Sequence, residues 1–374
     1  MTAPLDAVLA AGGAGWEAAA VTACERSSRL RLVRRCVDLA DLLAVAGTGQ
    51  ASVALVATSM PGLDLDVVDR LRRGGFTVVA VEGDPDVAAR LGLGAPVAVT
   101  ALDTLVLTES LPPVASSTGV LIAVWGPTGA PGRSSIALSL AAALAAQGTD
   151  TVLVDADVEG GAQAQALGVL DEVSGLVAAC RAASRGVTDD VLSLAATVEP
   201  SLRLLSGLPR ADMAAQVRPA AYDAVLSALL ADAEVVVVDC GFGLDPDAGS
   251  RYAVSIATID RADEIVVVGR AEPLGLTRLV RALHDLATVA PDRSPRVLLN
   301  QTRRTLGWSD REVDATVARL TGVTPSAHLP FDQGAWDAAA IHGRTPRVAA
   351  PSSPFVQRVE AFAAQLRVGE RVRT

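Results

Sequence analysis

The stretch from Val120 to Gly161, VLIAVWGPTGAPGRSSIALSLAAALAAQGTDTVLVDADVEGG, constrains the fold more than any other part of the chain. Val120 to Trp125 is a continuous apolar run of strand length. A Gly/Pro loop follows, Gly126 to Gly132, and Arg133-Ser134-Ser135 opens an Ala/Leu-rich helix to about Gln147. Gly148 stops that helix, and Val152 to Val154 reads as a second strand with Asp155-Ala156-Asp157 at its tip. A strand, a glycine loop and a helix N-terminus make an anion cradle. The loop leaves backbone N–H groups free, and the helix dipole adds partial positive charge. Phosphate is the natural guest. Against the pattern G-x-x-x-x-G-K-S/T, Gly132 supplies the second glycine and Ser134 the hydroxyl. Arg133 stands at the lysine position, and Pro127, preceded by Gly126, at the first glycine. An ordinary strand–helix turn whose glycines serve only packing is the competing reading.

The chain has no lysine at all; its 32 Lys+Arg positions are all arginine. A general drift from lysine to arginine would explain Arg133 without functional meaning. Yet a compact point charge between phosphates is not interchangeable with a planar guanidinium. The net charge of −10 disfavours nonspecific nucleic-acid binding. The arginines within residues 26–35 and at Arg303-Arg304 read as solvated faces. Cys24, Cys36, Cys180 and Cys240 show no C-x-x-C spacing, and His284, His328 and His342 are equally scattered. They support neither a metal cluster nor a Cys/His nucleophile, and they suit free thiols in a reducing cytoplasm. No apolar run approaches about 18 residues, and no basic region precedes an apolar start. The expected location is the cytoplasm.

At 374 residues, half of them apolar, the chain is long enough for two domains. Residues 1–112 alternate short apolar strands (Ala7–Ala10, Leu30–Val33, Val53–Ala57, Thr77–Val81, Pro96–Val99) with helices such as Trp16–Cys24, Leu39–Val45 and Leu65–Arg73. Five such units predict a flavodoxin-like parallel sheet. The segment from Val53 to Asp64, with Met60-Pro61-Gly62, resembles the third strand and following loop of response-regulator receiver domains. That resemblance implies a pseudo-receiver: Ala57 stands where the phosphorylated aspartate would be, and Leu9-Ala10-Ala11-Gly12 replaces the acid pair. An unrelated α/β domain with a Pro-Gly turn is the alternative. Within the Pro/Ser-rich Ser110 to Gly119, residues 113–119 are assigned as linker.

Residues 120–374 keep the rhythm, with further strands at Leu202–Leu205, Val235–Val238, Ile265–Val268 and Val297–Leu299. Continuous Val/Ile/Leu strands between helices predict a parallel sheet covered on both faces, with ligands at the strands' carboxyl ends. Both regions are thus expected to be doubly wound α/β domains. Three marked sites fall at strand ends: Asp155 with Asp157, then Asp239 after four valines, then Asn300 after Val297-Leu298-Leu299. Four apolar residues followed by an acid is the shape of a strand whose carboxylate holds Mg²⁺. Singly, each reads as a cap of the next helix or turn; together behind a phosphate loop they are hard to explain so.

These landmarks, GPTGAPGRSS, LVDADVEGG, VVVVDCGFG, LLNQTRR and LPFDQGAWDAAAIHGRTP, resemble the ParA/MinD group of P-loop ATPases over about residues 120–366. A pseudo-receiver ahead of such a domain looks like the CpaE/TadZ branch, associated with localising pilus-assembly machinery. The resemblance implies ATP and Mg²⁺ as ligands, with Gly129, Ala130, Gly132, Arg133, Ser134 and Ser135 around the phosphates. Ser134, Asp157 and Asp239 would serve the metal, and Asp157 the switch as well. Asp155 would orient the attacking water with Arg133 beside it, and Asn300, Pro330 and Asp332 would flank the base. The family's loop carries two lysines, one for its own site and one reaching across a nucleotide-sandwich dimer. Here those positions hold Arg133 and Thr128, so hydrolysis is expected to be slow or absent. The implied partners are a second copy and proteins of a localisation, septum or pilus machinery. A non-catalytic scaffold that binds no nucleotide is the second reading. The tail, Pro354 to Leu366, is a helix with Phe355, Val359, Phe362 and Leu366 on one face. MinD proteins grip membranes with such a helix, and Arg367, Arg371 and Arg373 follow here; docking on its own domain is the favoured alternative.

Overall fold

A computed structural model describes residues 4–105, 107, 119–129, 131–169, 173–248 and 251–366. Ala130, most of the expected linker, and Arg367, Arg371 and Arg373 lie outside these residues. The chain divides into two compact units, one from Met1–Val114 with Arg181–Thr188, the other from Ala115–Cys180 with Asp189–Thr374.

The first unit holds a parallel four-stranded sheet, β1 (Leu5–Ala10), β2 (Leu30–Arg35), β3 (Val53–Val56) and β4 (Thr77–Ala80), in the order β2-β1-β3-β4. Its strands are short; β3 is wholly buried, whereas the edge strand β2 carries Arg31, Arg34 and Arg35 and is largely exposed. The helix Leu65–Arg73 starts on the Asp64 side chain, which accepts from Val67 N–H, and presents Val67, Val68 and Leu71 to the core. The fifth strand expected at Pro96–Val99 does not form. A single bridge, Val81 to Val97, takes its place, followed by a 3₁₀ turn over Val99–Thr104. Pro96 has no N–H for a ladder. Glu82 turns left-handed (φ 53°) and its carboxylate takes the Val99 N–H at 2.8 Å, drawing the chain out of register.

The second unit is built on an eight-stranded sheet. Its strands are β5 (Val120–Trp125), β6 (Thr151–Ala156), β7 (Ala196–Glu199), β8 (Leu202–Leu205), β9 (Val235–Cys240), β10 (Glu264–Arg270), β11 (Arg296–Thr302) and β12 (Ala327–Pro330). The order is β12-β11-β10-β5-β9-β6-β8-β7, parallel except for β7, which pairs antiparallel with β8. The three central strands β5, β9 and β6 are buried along their whole length. This is what continuous valine, leucine and isoleucine runs demand when both sheet faces are covered.

The helix Arg133–Ala146 lies on this sheet. Residues 136–145 are all buried, so the helix is apolar all round, and its alanines admit close neighbours on every side. One neighbour is the terminal helix Pro354–Ala363. Its stripe of Phe355, Val359, Phe362 and Leu366 packs into the same core as the helix from the glycine loop. The apolar face that a membrane grip would need is therefore covered by the protein itself. Among the described residues no helix is long and apolar enough to cross a membrane.

Candidate functional site

The parallel register brings the strand-end residues together. Asp239 on β9 lies beside Val124 on β5 and directly beside Asp155 on β6. The glycine loop leaves β5 at Trp125 and turns into its helix at Gly132, which caps the helix in the left-handed region (φ 93°) with no side chain of its own. The first N–H groups of that helix have no capping side chain to bind. Gly129 is also left-handed (φ 102°). A cavity of about 640 Å³ opens over this start, walled by Thr128, Gly129, Gly132, Arg133, Ser134 and Ser135 on one side. Asp157, Glu159, Phe242 and Gln301 face them.

Arg133 does not project into solvent. Its guanidinium folds back over the loop, donating from Nη1 to the carbonyls of Gly126 (3.3 Å) and Pro127 (3.0 Å). Nη2 donates to Asp157 Oδ2 at 3.3 Å, with both side chains mostly buried. Its Nε is buried without a partner. The sole cation among the predicted site residues is thus held between the loop's own carbonyls and an acid.

Asp239 is fully buried. Gln163 Nε2 donates to its Oδ2 at 2.8 Å, while Oδ1 has no partner. Burial pushes this carboxyl up to about 6, with the Ser134 hydroxyl and the Gln163 amide opposing the rise. Asp155 is pushed further, to about 8, first by burial and then by the Asp239 charge beside it. A like charge on the adjacent strand disfavours ionisation of Asp155. Asp155 Oδ2 accepts the Gln163 N–H at 3.0 Å, and Oδ1 is unpartnered.

Asp155 does not line the 640 Å³ cavity. Its carboxyl sits between Gly161 and Gly207, where a Cβ on either would collide with it, and it opens on a separate cavity of about 200 Å³. Asp157, expected to serve the metal and the switch, does line the 640 Å³ cavity. Two residues past its neighbour, it lies beyond the end of β6, where the chain turns: its Oδ1 accepts N–H groups from Glu159 and Gly160. Asn300 also differs from expectation. Its Nδ2 donates to the Pro131 carbonyl at 2.8 Å and packs where a Cβ on Gly132 would have to go, so it staples the loop to β11. Pro330 ends β12. Asp332 caps the helix Gln333–His342 through Ala335 N–H (3.1 Å) and accepts from Ser353 Oγ (2.6 Å). None of these three lines the cavity.

Two site residues escaped the sequence reading. Gln163 joins three parts of the site, since its Nε2 also donates to the Ser134 carbonyl at 2.9 Å. Gln301 adopts φ 58°, in the left-handed region that non-glycine residues rarely enter, at the register break between β11 and β12. Such strain gathers at functional sites. No local motif announces either residue.

An unpartnered buried carboxylate oxygen beside a helix-start hydroxyl fits a hydrated Mg²⁺, which keeps most of its waters and asks for few protein ligands. Among the described residues there is no cluster of three or more His, Cys, Asp or Glu side chains suited to a metal. The bare helix start and the cavity's size fit phosphate groups, provided the Arg133 guanidinium shifts.

No family model matches the sequence, and no curated protein does. Solved structures do. A ParA family ATPase from Chlorobium tepidum TLS is 18% identical, with a TM-score of 0.56 over 66% of this chain and 99% of that one. The cell division ATPase MinD from Pyrococcus furiosus is 20% identical (TM-score 0.53, 66% and 97% covered). The septum site-determining protein MinD from Pyrococcus horikoshii OT3, solved with Mg-ADP, is 18% identical (TM-score 0.54, 68% and 98% covered). This is the fold of the ParA- and MinD-type ATPases. The match takes in nearly all of each of these chains and about two thirds of this one. The remaining third of this chain lies outside it.

Proposed function

We propose that the second unit is a Mg²⁺-dependent ATP-binding switch that hydrolyses ATP slowly. The observation that carries this reading is the pairing of an uncapped, glycine-framed helix start with the unpartnered Asp239 Oδ1 beside Ser134. The ADP and Mg²⁺ held by the similar Pyrococcus horikoshii fold support the choice of ligand. Backbone N–H groups from Gly132 to Ser135, with Gly129 and Ala130 in the loop, hold the phosphates. Ser134 and Asp239 hold the metal, which neutralises phosphate charge. Asp157, facing the cavity, orients water; Asp155 stands behind it. Asn300, Pro330 and Asp332 fix the β11–β12 edge next to the loop.

Arg133 couples two events. While it pairs with Asp157, the acid is neutralised and the loop carbonyls are covered. A phosphate group competes for the guanidinium by forked hydrogen bonds, and the N–H that turns to phosphate leaves Asp157. Asp157 becomes available only with phosphate present. The guanidinium is bulkier than an amine and its charge is spread, so Arg133→Lys is expected to raise turnover about 10²-fold. A lysine variant no faster than wild type would sink the rate argument.

The first unit is proposed to be a pseudo-receiver that docks partner proteins. In support, Ala57, at the position of the receiver's phosphorylated aspartate, is buried directly after β3 and carries no acceptor. With division at residues 1–112, 113–119 and 120–374, the chain is a CpaE/TadZ-like localisation protein. It acts in the cytoplasm, dimerises on ATP, and recruits pilus-assembly or septum-positioning components.

The test is calorimetry of Mg-ATP on wild type and Asp239→Ala, with oligomeric state followed by light scattering. Micromolar binding that the substitution weakens at least tenfold is expected. Wild type with no binding up to millimolar Mg-ATP overturns the switch and leaves the scaffold reading.

A further inference from the structure

The loop lacks a second cation of its own, because Thr128 stands where the family's cross-dimer lysine would be. The structure brings one from elsewhere in the same chain. The helix Pro273–Val289 places Arg278 against Gly129: a Cβ on that glycine would overlap Arg278 Nη1 and crowd Cζ. Gly129, left-handed and without a side chain, is what allows the guanidinium to lie on the loop. Arg278 also lines a cavity of about 620 Å³ that shares Thr128 and Phe242 with the 640 Å³ cavity. Thr128 thus walls both cavities, and Arg278 lies on the side of the second, against Gly129 of the first. The charged groups facing it in its cavity are Arg281, Asp245 and Asp285.

We infer that Arg278 is the second phosphate-contacting cation of this site, supplied in cis. It takes the outermost phosphate of a nucleoside triphosphate at the Thr128–Gly129 end of the loop. Arg133 occupies the opposite side, towards Asp157. This rests on the nucleotide-binding reading above, and it adds a consequence that the reading does not contain. Preference for ATP over ADP belongs to the single chain and does not wait for a second copy. An arginine suits the role, since its planar fork binds phosphate through two parallel N–H groups.

The experiment measures Mg-ATP and Mg-ADP affinity for wild type, Arg278→Met and Arg278→Lys, at concentrations where light scattering reports a monomer. The methionine variant keeps the stem that packs along the helix. It is expected to bind Mg-ATP at least tenfold more weakly and Mg-ADP less than threefold more weakly, with the lysine variant between it and wild type. A residue that merely braces the loop would weaken both nucleotides alike, and that outcome overturns the inference. So does an unchanged ATP/ADP ratio in both variants, or an equal loss in Arg281→Ala, one turn further along the helix. Wild type that binds neither nucleotide overturns the nucleotide reading itself. Wild type that binds, but prefers ATP only as a dimer, overturns the cis contact alone.

Discussion

A chain cut after Ser353 is expected not to fold. The cut removes Phe355, Val356, Val359, Phe362 and Leu366, each at most 6% exposed and each packed in the core that holds the glycine-loop helix. At about 1.5–3 kcal/mol for each buried apolar side chain, the loss is roughly 8–15 kcal/mol. That equals the whole stability of an ordinary domain, about 5–15 kcal/mol. The anchor is not only apolar. Ser353 caps the lost helix and its hydroxyl donates to Asp332, which caps the helix Gln333–His342. Insoluble expression, or a product without a cooperative melt, is the expected result. The single change Phe355→Ala should cost about 3–5 kcal/mol, and Trp336, edge-on to Phe355 at 5.7 Å, should report it. A truncated chain with the wild-type melting temperature would show that the helix is not structural. Liposome co-sedimentation of the full chain would then decide whether that face meets lipid.

The second large effect concerns Asp155. Its carboxyl is raised to about 8, by burial first and by Asp239 second. The fold thus binds the proton more tightly than the unfolded chain does. The stability this contributes is complete below the ordinary carboxylate value near 4 and is lost as pH rises towards about 8. Wild type should therefore melt at a lower temperature at pH 8 than at pH 5. The carboxylates that salt bridges or caps hold below their usual range, Asp6 beside Arg31 and Glu312 at the Ser309 cap, lose their contribution only in more acid solution. Asp155→Asn removes the buried charge while keeping the shape. At pH 8 it is expected to stabilise by about 2 kcal/mol, roughly 5 °C, and to flatten the slope between pH 5 and 8. An unchanged slope measured by calorimetric melts would contradict the assignment. Because Asp155 does not line the loop cavity, the variant should still bind nucleotide, whereas Asp157→Asn should lose turnover.

What the sequence made legible, and what it hid, follows from the range of the forces involved. Val235 to Val238 could be only a central strand, and the Ala/Leu run after Arg133 only a buried helix; hydrophobic pattern is local and survives in one dimension. Ala196–Glu199 and Ala327–Pro330 were missed because edge strands need little apolar surface, and theirs carry Glu199, His328 and Pro330. Pro96–Val99 looked like a strand by composition, but one missing N–H and the Glu82 side chain undid it. Within the site, the glycine loop and Asp239 could be placed from strand-end position alone. Asp155 and Asp157 could not be told apart, since the difference lies in which one meets Gly161 and Gly207 and which one lies past the strand end. Asn300 looked free to face a base; its partner is a carbonyl 169 residues away. Arg278 reaches Gly129 across a similar span, and no spacing rule could have paired them.

One buried side chain gives the molecule its own optical probe. Trp125 ends β5, is 2% exposed, and donates its indole N–H to the Phe242 carbonyl at 3.1 Å, in the loop that follows Asp239. It also lines the cavity that Arg278 lines. Of the four tryptophans, Trp308 is 45% exposed and emits as a solvated indole, at the red end. Trp125, buried, should emit at the blue end. With Trp16, Trp308 and Trp336 replaced by phenylalanine, a red shift of the remaining fluorescence would report water reaching the indole as the phosphate-loop strand and the Asp239 loop part, with no label attached.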